Sequence, residues 1–307
     1  MKQLTINDLA QLFGAGSSDV ATACAALLPK VDLSYRFAND DEHDSLVLET
    51  IKRMSSAELP VAGEKRLADW ERGWSENLQA LRTSAYDIEK LVPKYIRPGE
   101  PIRLFRKYAI PAPNFVRDYT VIFRAWLAQT FIAKASTIYE FGCGPGAHLA
   151  YLASTFPDKR FVGLDWAESS SEILTALSAR FGWNIKGERF DFFNPNHAFD
   201  LERDSAVLTF GALEQVGGRF GPFLDYLLSN KPAIVVHVEP MDELYEQDNL
   251  IDYLAWRYHK QRGYLDGFLT KLKTLEKEGK VTIVASHRHE FGVKYVETYS
   301  YVVWHPN

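Results

Sequence analysis

The sequence predicts an α/β protein, with a mostly parallel sheet, an antiparallel last strand, flanking helices and a helical segment in front. Three observations carry this. From about residue 136 onward, strand-like apolar runs alternate with helical ones, which implies a parallel sheet covered on both faces. The last two runs, VTIVASHRHEF and YSYVVWHP, have no crossover helix between them, so they pair antiparallel. Residues 1–95 show helical spacing and no sustained alternation of period two.

The elements follow in order. Thr5 is placed to cap TINDLAQLF, with Asp8 three residues on. GAGSS breaks that helix, and DVATACAALL, DSLVLETIKRM and EKRLADWERGWSENLQALR continue as amphipathic helices. The prolines from Pro93 to Pro113 argue against regular structure and suggest a linker wrapping the next unit. NFVRDYTVIFRAWLAQTF is a helix with Asn114 as its cap. Strands are expected in STIYEF, RFVGLD, IKGERFDFF, SAVLTF and AIVVHVEP, with helices AHLAYLASTF and SSSEILTALSARF after the first two. A helical stretch from about Met241 to Lys280 bends near Gly263, and a short turn joins the closing strands. The expected divisions are 1–95 as a helical domain, 96–135 as linker and leading helix, and 136–307 as the α/β domain.

Composition narrows the function. A formal net charge of -5 argues against a chain that coats nucleic acid, because that affinity comes from Lys and Arg on phosphates. The two cysteines, Cys24 and Cys143, lie too far apart for a disulfide framework or zinc cluster and suit a reducing compartment. Asp8 interrupts what would be a signal-peptide core, and no apolar run reaches membrane-spanning length. A soluble cytoplasmic protein is expected.

The most informative stretch is YEFGCGPGAH, Tyr139–His148. Gly142, Gly144 and Gly146 follow a strand and open a helix, where bare backbone turns tightly and a ligand can approach the helix start. Gly142, Gly144 and Ala147 also fit the dinucleotide pattern G-x-G-x-x-G/A, so the loop alone does not choose its ligand. Asp165 ends the second strand, where a carboxylate can accept from both ribose hydroxyls, and Trp166 offers a flat face to a purine. Asp191 follows the third strand and can accept from an adenine amino group, while the Phe192 N–H donates to the ring.

EFGCGPGAH, GLDWA, RFDFF and the closing pair VTIVASH…YSYVVWHP resemble the class I S-adenosylmethionine-dependent methyltransferases over roughly residues 110–307. The resemblance implies a Rossmann-like sheet and S-adenosyl-L-methionine as cofactor. It assigns the methionine part to Gly142, Gly144 and Gly146, ribose to Asp165, the adenine amino group to Asp191, and help with the methionine amino group to Glu140. The family's antiparallel final strand argues against a nicotinamide enzyme. The fourth strand ends in TFGALEQVG, without the Asn/Asp-Pro-Pro-Tyr/Phe signature of amino-group methylation on nucleic acids or glutamine. RPGEPIRLF and the final segment resemble methyltransferases of bacterial surface-polysaccharide clusters.

The expected function is therefore methyl transfer to a small acceptor, an oxygen of a sugar or glycan precursor, with no nucleic acid partner. Alternatives are another natural product methylated at O or N, a cofactor-binding module without catalysis, and a nicotinamide oxidoreductase. Candidates for a base are His237 and Glu239 around the end of the fifth strand, with Glu214 after the fourth. His287, His289 and Glu290 could bind a metal, but no further ligand lies nearby in the sequence, so they are read as a solvated turn and no metal is expected. Lys94, Arg97, Arg103, Arg106 and Lys107 form a basic cluster suited to a phosphate, with Arg103 and Arg106 as its main contacts. Tyr253 and His259, in an aromatic and charged stretch after the fifth strand, are further candidates for acceptor binding.

Overall fold

The computed structural model describes residues 1–93 and 97–307. The chain begins with β1 (Lys2–Gln3), α1 (Ile6–Phe13), α2 (Ser17–Cys24), β2 (Ser34–Phe37), α3 (Asp40–Met54) and α4 (Leu67–Thr83). A strand pair, β3 (Ile102–Leu104) and β4 (Lys107–Pro111), leads into α5 (Phe115–Leu127). Then come β5 (Thr137–Phe141), α6 (Ala147–Thr155), β6 (Arg160–Asp165), α7 (Glu168–Phe181), β7 (Ile185–Arg189) and β8 (Ala206–Phe210). The chain closes with α8 (Gly221–Asn230), β9 (Ile234–Val238), α9 (Leu250–Arg262), α10 (Phe268–Lys277), β10 (Val281–His287), β11 (Phe291–Val293), β12 (Val296–Glu297) and β13 (Tyr301–Pro306).

The larger sheet has the order β10-β13-β9-β8-β5-β6-β7. Strands β9, β8, β5, β6 and β7 pair parallel, and β13 lies antiparallel between β9 and β10. This is the Rossmann-like mixed sheet expected from the alternation. Both faces are buried, so successive residues of β9 enter different cores. Val236 and Val238 pack with Ile138, Leu149 and Phe123, whereas Val235 packs with Val207, Leu227 and Leu272.

The helix ends follow local chemistry. Thr5 and Asp8 form a reciprocal capping box on α1, and Asn39 and Glu42 form another on α3. Gly263 adopts a left-handed conformation that ends α9, so the expected bent stretch is two separate helices, α9 from Leu250 and α10 from Phe268. Among the described residues no helix is long and apolar enough to cross a membrane.

The helical reading of residues 1–95 misses β1 and β2, which have two and four residues and are too short for periodicity to register. The proline-rich linker is not irregular throughout, since β3 and β4 pair within it. Nor does a short turn join the closing strands. Between them the β11–β12 hairpin leaves the large sheet and pairs with β3. A second, antiparallel sheet results, in the order β1-β2-β4-β3-β11-β12, with strands from the N-terminal segment, the linker and the C-terminal hairpin.

The N-terminal segment is fastened to the large sheet through α4, which packs on α7. No side chain of α7's own cap residue, Ala167, satisfies its first amides. The Glu71 carboxylate, from α4, accepts from the Glu168 N–H at 2.7 Å and the Ser169 N–H at 3.3 Å. An anion at a helix N-terminus is also favoured by the helix dipole. Replacing Glu71 by Ala should therefore cost about 1–2 kcal/mol, the scale of a lost N-cap. Urea unfolding would measure it, and Glu71→Gln should recover part of the loss.

Candidate functional site

A cavity of about 770 Å³ opens at the carboxyl ends of β5, β6 and β8. Its walls come from α3, α4, the glycine loop, the segment after β8, the end of α9 and the β11–β12 hairpin. Of the expected cofactor residues, Glu140, Gly142, Gly144, Asp165, Trp166 and Phe192 line it.

Gly142, Gly144 and Gly146 have φ of +72°, +53° and +75°. A Cβ on Gly142 would lie 2.2 Å from the Ala212 Cβ, and one on Gly146 would lie 2.5 Å from Leu174 Cδ2. The loop amides are largely spent inside the protein. Gly142 and Cys143 donate to the Leu164 carbonyl, Gly144 to Asp165, and Gly146 to the Cys143 carbonyl. What the loop offers a ligand is a bare surface and the start of α6, which no side chain caps.

Asp165 is 5% exposed, and each carboxylate oxygen accepts a backbone N–H, from Gly144 at 2.8 Å and from Ala167 at 2.9 Å. Burial pushes its pKa up to about 6, opposed by those two donors. Glu140 is also buried; one oxygen meets His148 Nδ1 at 3.1 Å, and the other has no partner among the described residues. Beside it, the half-buried Arg124 guanidinium stacks 4.0 Å from the Tyr151 ring and donates to the Ala147 carbonyl. An orphaned carboxylate oxygen beside a cavity is suited to a cationic amino group. Asp191 differs from the expectation. It does not line the cavity, and its carboxylate accepts from the Phe193 N–H at 2.9 Å, closing a local turn.

The base candidates separate. His237 is fully buried; Nδ1 shares a hydrogen bond with Thr209 at 2.9 Å, its ring packs on Phe268, and burial pushes its pKa down to about 3. It lies outside the cavity, as a core histidine. Glu239 is fully buried and outside the cavity too. Its carboxylate accepts from the N–H groups of Ala212, Leu213 and Glu214 at 3.1–3.2 Å. It thus fixes the turn that carries Glu214. Glu214 lines the cavity, half-buried, and takes a hydrogen bond from Gln215 Nε2 at 2.8 Å. Burial, then the neighbouring Glu239 charge, pushes its pKa up to about 8.

The acceptor candidates need correction. Arg103 is fully buried; it donates to the Ile251 carbonyl and pairs with Asp252 at 3.2 Å. Arg106 pairs with Glu246 at 2.6 Å and Asp252 at 3.4 Å. Both belong to an ion network that fastens β3 to α9, not to the cavity. Lys94 lies outside the described residues, and Arg97 alone of the named basic cluster lines the cavity. Tyr253 is exposed beside Arg257, while His259 is buried with Nε2 on the Leu265 carbonyl. His289 is not in a solvated turn, since it is fully buried and hydrogen-bonded to Tyr119.

The sequence reasoning missed the residues that take their place. Tyr258, Arg262, Tyr264, Tyr295 and Lys294 line the cavity, joined by Arg53 and the stacked pair Trp70 and Trp74. Tyr258 and Arg262 are four residues apart on α9, as Glu49 and Arg53 are on α3, and that spacing was the available signal.

No family model and no curated protein matches the sequence. Among solved structures, the chain is similar to the 16S rRNA methyltransferase RmtF in complex with S-adenosyl-L-homocysteine, at 12% identity over 100% of each chain with a TM-score of 0.45. It is similar to RosA, the N,N-8-amino-8-demethyl-D-riboflavin dimethyltransferase from Streptomyces davawensis, at 13% identity over 99% of this chain and 89% of that one, TM-score 0.41. The methyltransferase domain of bacterial CtHen1-C is 17% identical over 61% of this chain and 94% of that one, TM-score 0.44.

Gly142 and Gly182 separate backbone strain from crowding. Both have positive φ, but a Cβ on Gly182 meets nothing within 4 Å. Gly182→Ala should cost about 1–2 kcal/mol for the left-handed backbone. Gly142→Ala should cost roughly 1–3 kcal/mol more from overpacking. Chemical denaturation of the two variants would compare them.

Proposed function

We propose that the protein is an S-adenosylmethionine-dependent methyltransferase acting on a small acceptor, at an oxygen of a sugar or other ring compound. The observation that carries this is the cavity at the strand ends, where the glycine loop, Glu140 and Asp165 meet beneath a sheet with its last strand antiparallel. A cavity of about 770 Å³ is of the size that takes small ligands.

The residues fit the cofactor. Glu140 keeps a buried, unpartnered oxygen for a cationic amino group, and Gly142 and Gly144 bring bare backbone to the same wall beside the uncapped start of α6. Asp165 retains lone pairs for ribose hydroxyls while it holds the loop, and Trp166 and Phe192 flank the same wall. The cofactor would supply an electrophilic methyl group on a sulfonium.

Glu214 is the residue suited to take the proton from an acceptor hydroxyl. Gln215 orients it, and Glu239 holds its backbone. Gln215 Oε1 is buried and unpartnered among the described residues, ready to accept from a hydroxyl. His237 has no part in this scheme.

Calorimetry with the free protein should show S-adenosylmethionine and S-adenosylhomocysteine binding while NAD(H) and NADP(H) remain silent. Nicotinamide binding without adenosylmethionine binding would sink the reading, and binding without turnover over a broad acceptor panel would indicate a non-catalytic module.

The rate has its own signature. A base acts deprotonated, so kcat/KM should rise with pH and level off above about 8. Glu214→Gln should remove that rise and about 10²–10⁴-fold of rate. His237→Ala should leave the pH profile in place.

A further inference from the structure

We propose that the acceptor is a small ring compound bearing an anionic group, with its charge held by Arg53 and its ring against the tyrosine wall of the cavity. This rests on the methyltransferase reading and adds the chemical class of the acceptor.

Arg53, Arg66, Arg97, Arg262 and Lys294 line the cavity. Lys294 is occupied by Glu49 at 2.6 Å and lies 3.7 Å from Glu100. Arg97 has Glu100 at 3.9 Å. Arg66 is bonded to Asp69 at 2.8 Å and stacks over Trp70. Arg262 donates to the Tyr258 hydroxyl at 3.0 Å and stacks 4.6 Å from the Tyr264 ring. Arg53 is different. It is half-buried in the cavity wall, and among the described residues its guanidinium makes no ion pair and no hydrogen bond. A guanidinium in a cavity wall with no counter-charge of its own is free to pair, and a planar anion suits its fork of donors.

Its position joins it to the tyrosines. Arg53 lies one helical turn beyond Glu49 on α3, and Glu49 accepts from Lys294 and from the Tyr295 hydroxyl at 3.3 Å. Met54, the next residue, packs against the cluster of Tyr258, Tyr264 and Val296, as Tyr295 also does. The unpaired charge and the aromatic wall therefore belong to one end of the cavity. That end also contains Glu214, which the pair Tyr264 and Arg262 approaches.

A carboxylate on an aromatic ring and a phosphate on a sugar share this chemistry. The test uses the protein saturated with S-adenosylhomocysteine and titrates two matched pairs by calorimetry: benzoate with benzamide, and glucose 6-phosphate with glucose. At least one anion should bind about tenfold or more tightly than its neutral partner, the scale of a charge-assisted hydrogen bond. Which pair discriminates identifies the carboxylate or the phosphate. Arg53→Gln should erase the preference, and Arg97→Gln should retain it. Equal binding of anion and neutral partner, no binding of either anion, or a preference that survives Arg53→Gln would overturn the proposal. S-adenosylhomocysteine binding by Arg53→Gln reports that the variant is folded. Failure of the wild type to bind S-adenosylhomocysteine would refute the methyltransferase reading instead.

Discussion

The cavity depends on a single carboxylate. Asp165 stands at the end of β6 and accepts at once from Gly144, in the loop after β5, and from Ala167, at the entry to α7. Two chain reversals from adjacent strands are pinned to one buried group. The Leu164 and Cys143 carbonyls hold other amides of the glycine loop, and Asp165 ties that loop to the entry of α7. The group is costly, since burial favours its protonated form. Its folded pKa of about 6 lies above the ordinary carboxylate value, so between those limits the folded chain binds more protons than the unfolded one. That contribution to stability is complete below the ordinary value and is lost as pH rises through about 6. Ionised Asp165 is thus a cost carried for the shape of the site.

Glu239 repeats the arrangement on the other side of β5. It gathers the N–H groups of Ala212, Leu213 and Glu214. The two clamped turns interlock, because the Ala212 side chain occupies the space in front of Gly142. Glycine at 142 is therefore dictated from two directions, by its own backbone and by a neighbour that Glu239 holds in place. Burial pushes the Glu239 pKa up to about 7, so this clamp too is strained by its own charge near neutrality.

What could be read in the sequence was local. The glycine loop announces itself because few residues tolerate positive φ, and Asp165 was legible because strand ends in an alternating pattern point to one edge of the sheet, while Glu140 came with the family resemblance; both line the cavity. The antiparallel last strand followed from a missing crossover. The distant side of the cavity was not legible. Which face of α9 looks inward is set by its packing on α3 and on β12, so the choice fell on Tyr253 and His259 rather than Tyr258 and Arg262. Arg103 was misjudged for a similar reason. Its partner Asp252 is 149 residues away, and nothing near Arg103 in the chain signals a buried ion pair. His237 and Glu239 sit at a promising strand end, yet each is consumed by a neighbour that only tertiary packing supplies.

The composition of the second sheet has a consequence for biosynthesis. Strands β1, β2, β3 and β4 come from the first 111 residues, but β11 and β12 begin only at Phe291. A nascent chain emerging from the ribosome can assemble four of the six strands early, and β3 then waits with one edge unpaired until almost the whole polypeptide has been made. The same hairpin carries Lys294 and Tyr295 into the wall of the cavity. Ligand binding is thus among the last properties the chain acquires, and a product cut short by some twenty residues would present an open sheet edge to solvent rather than a working pocket.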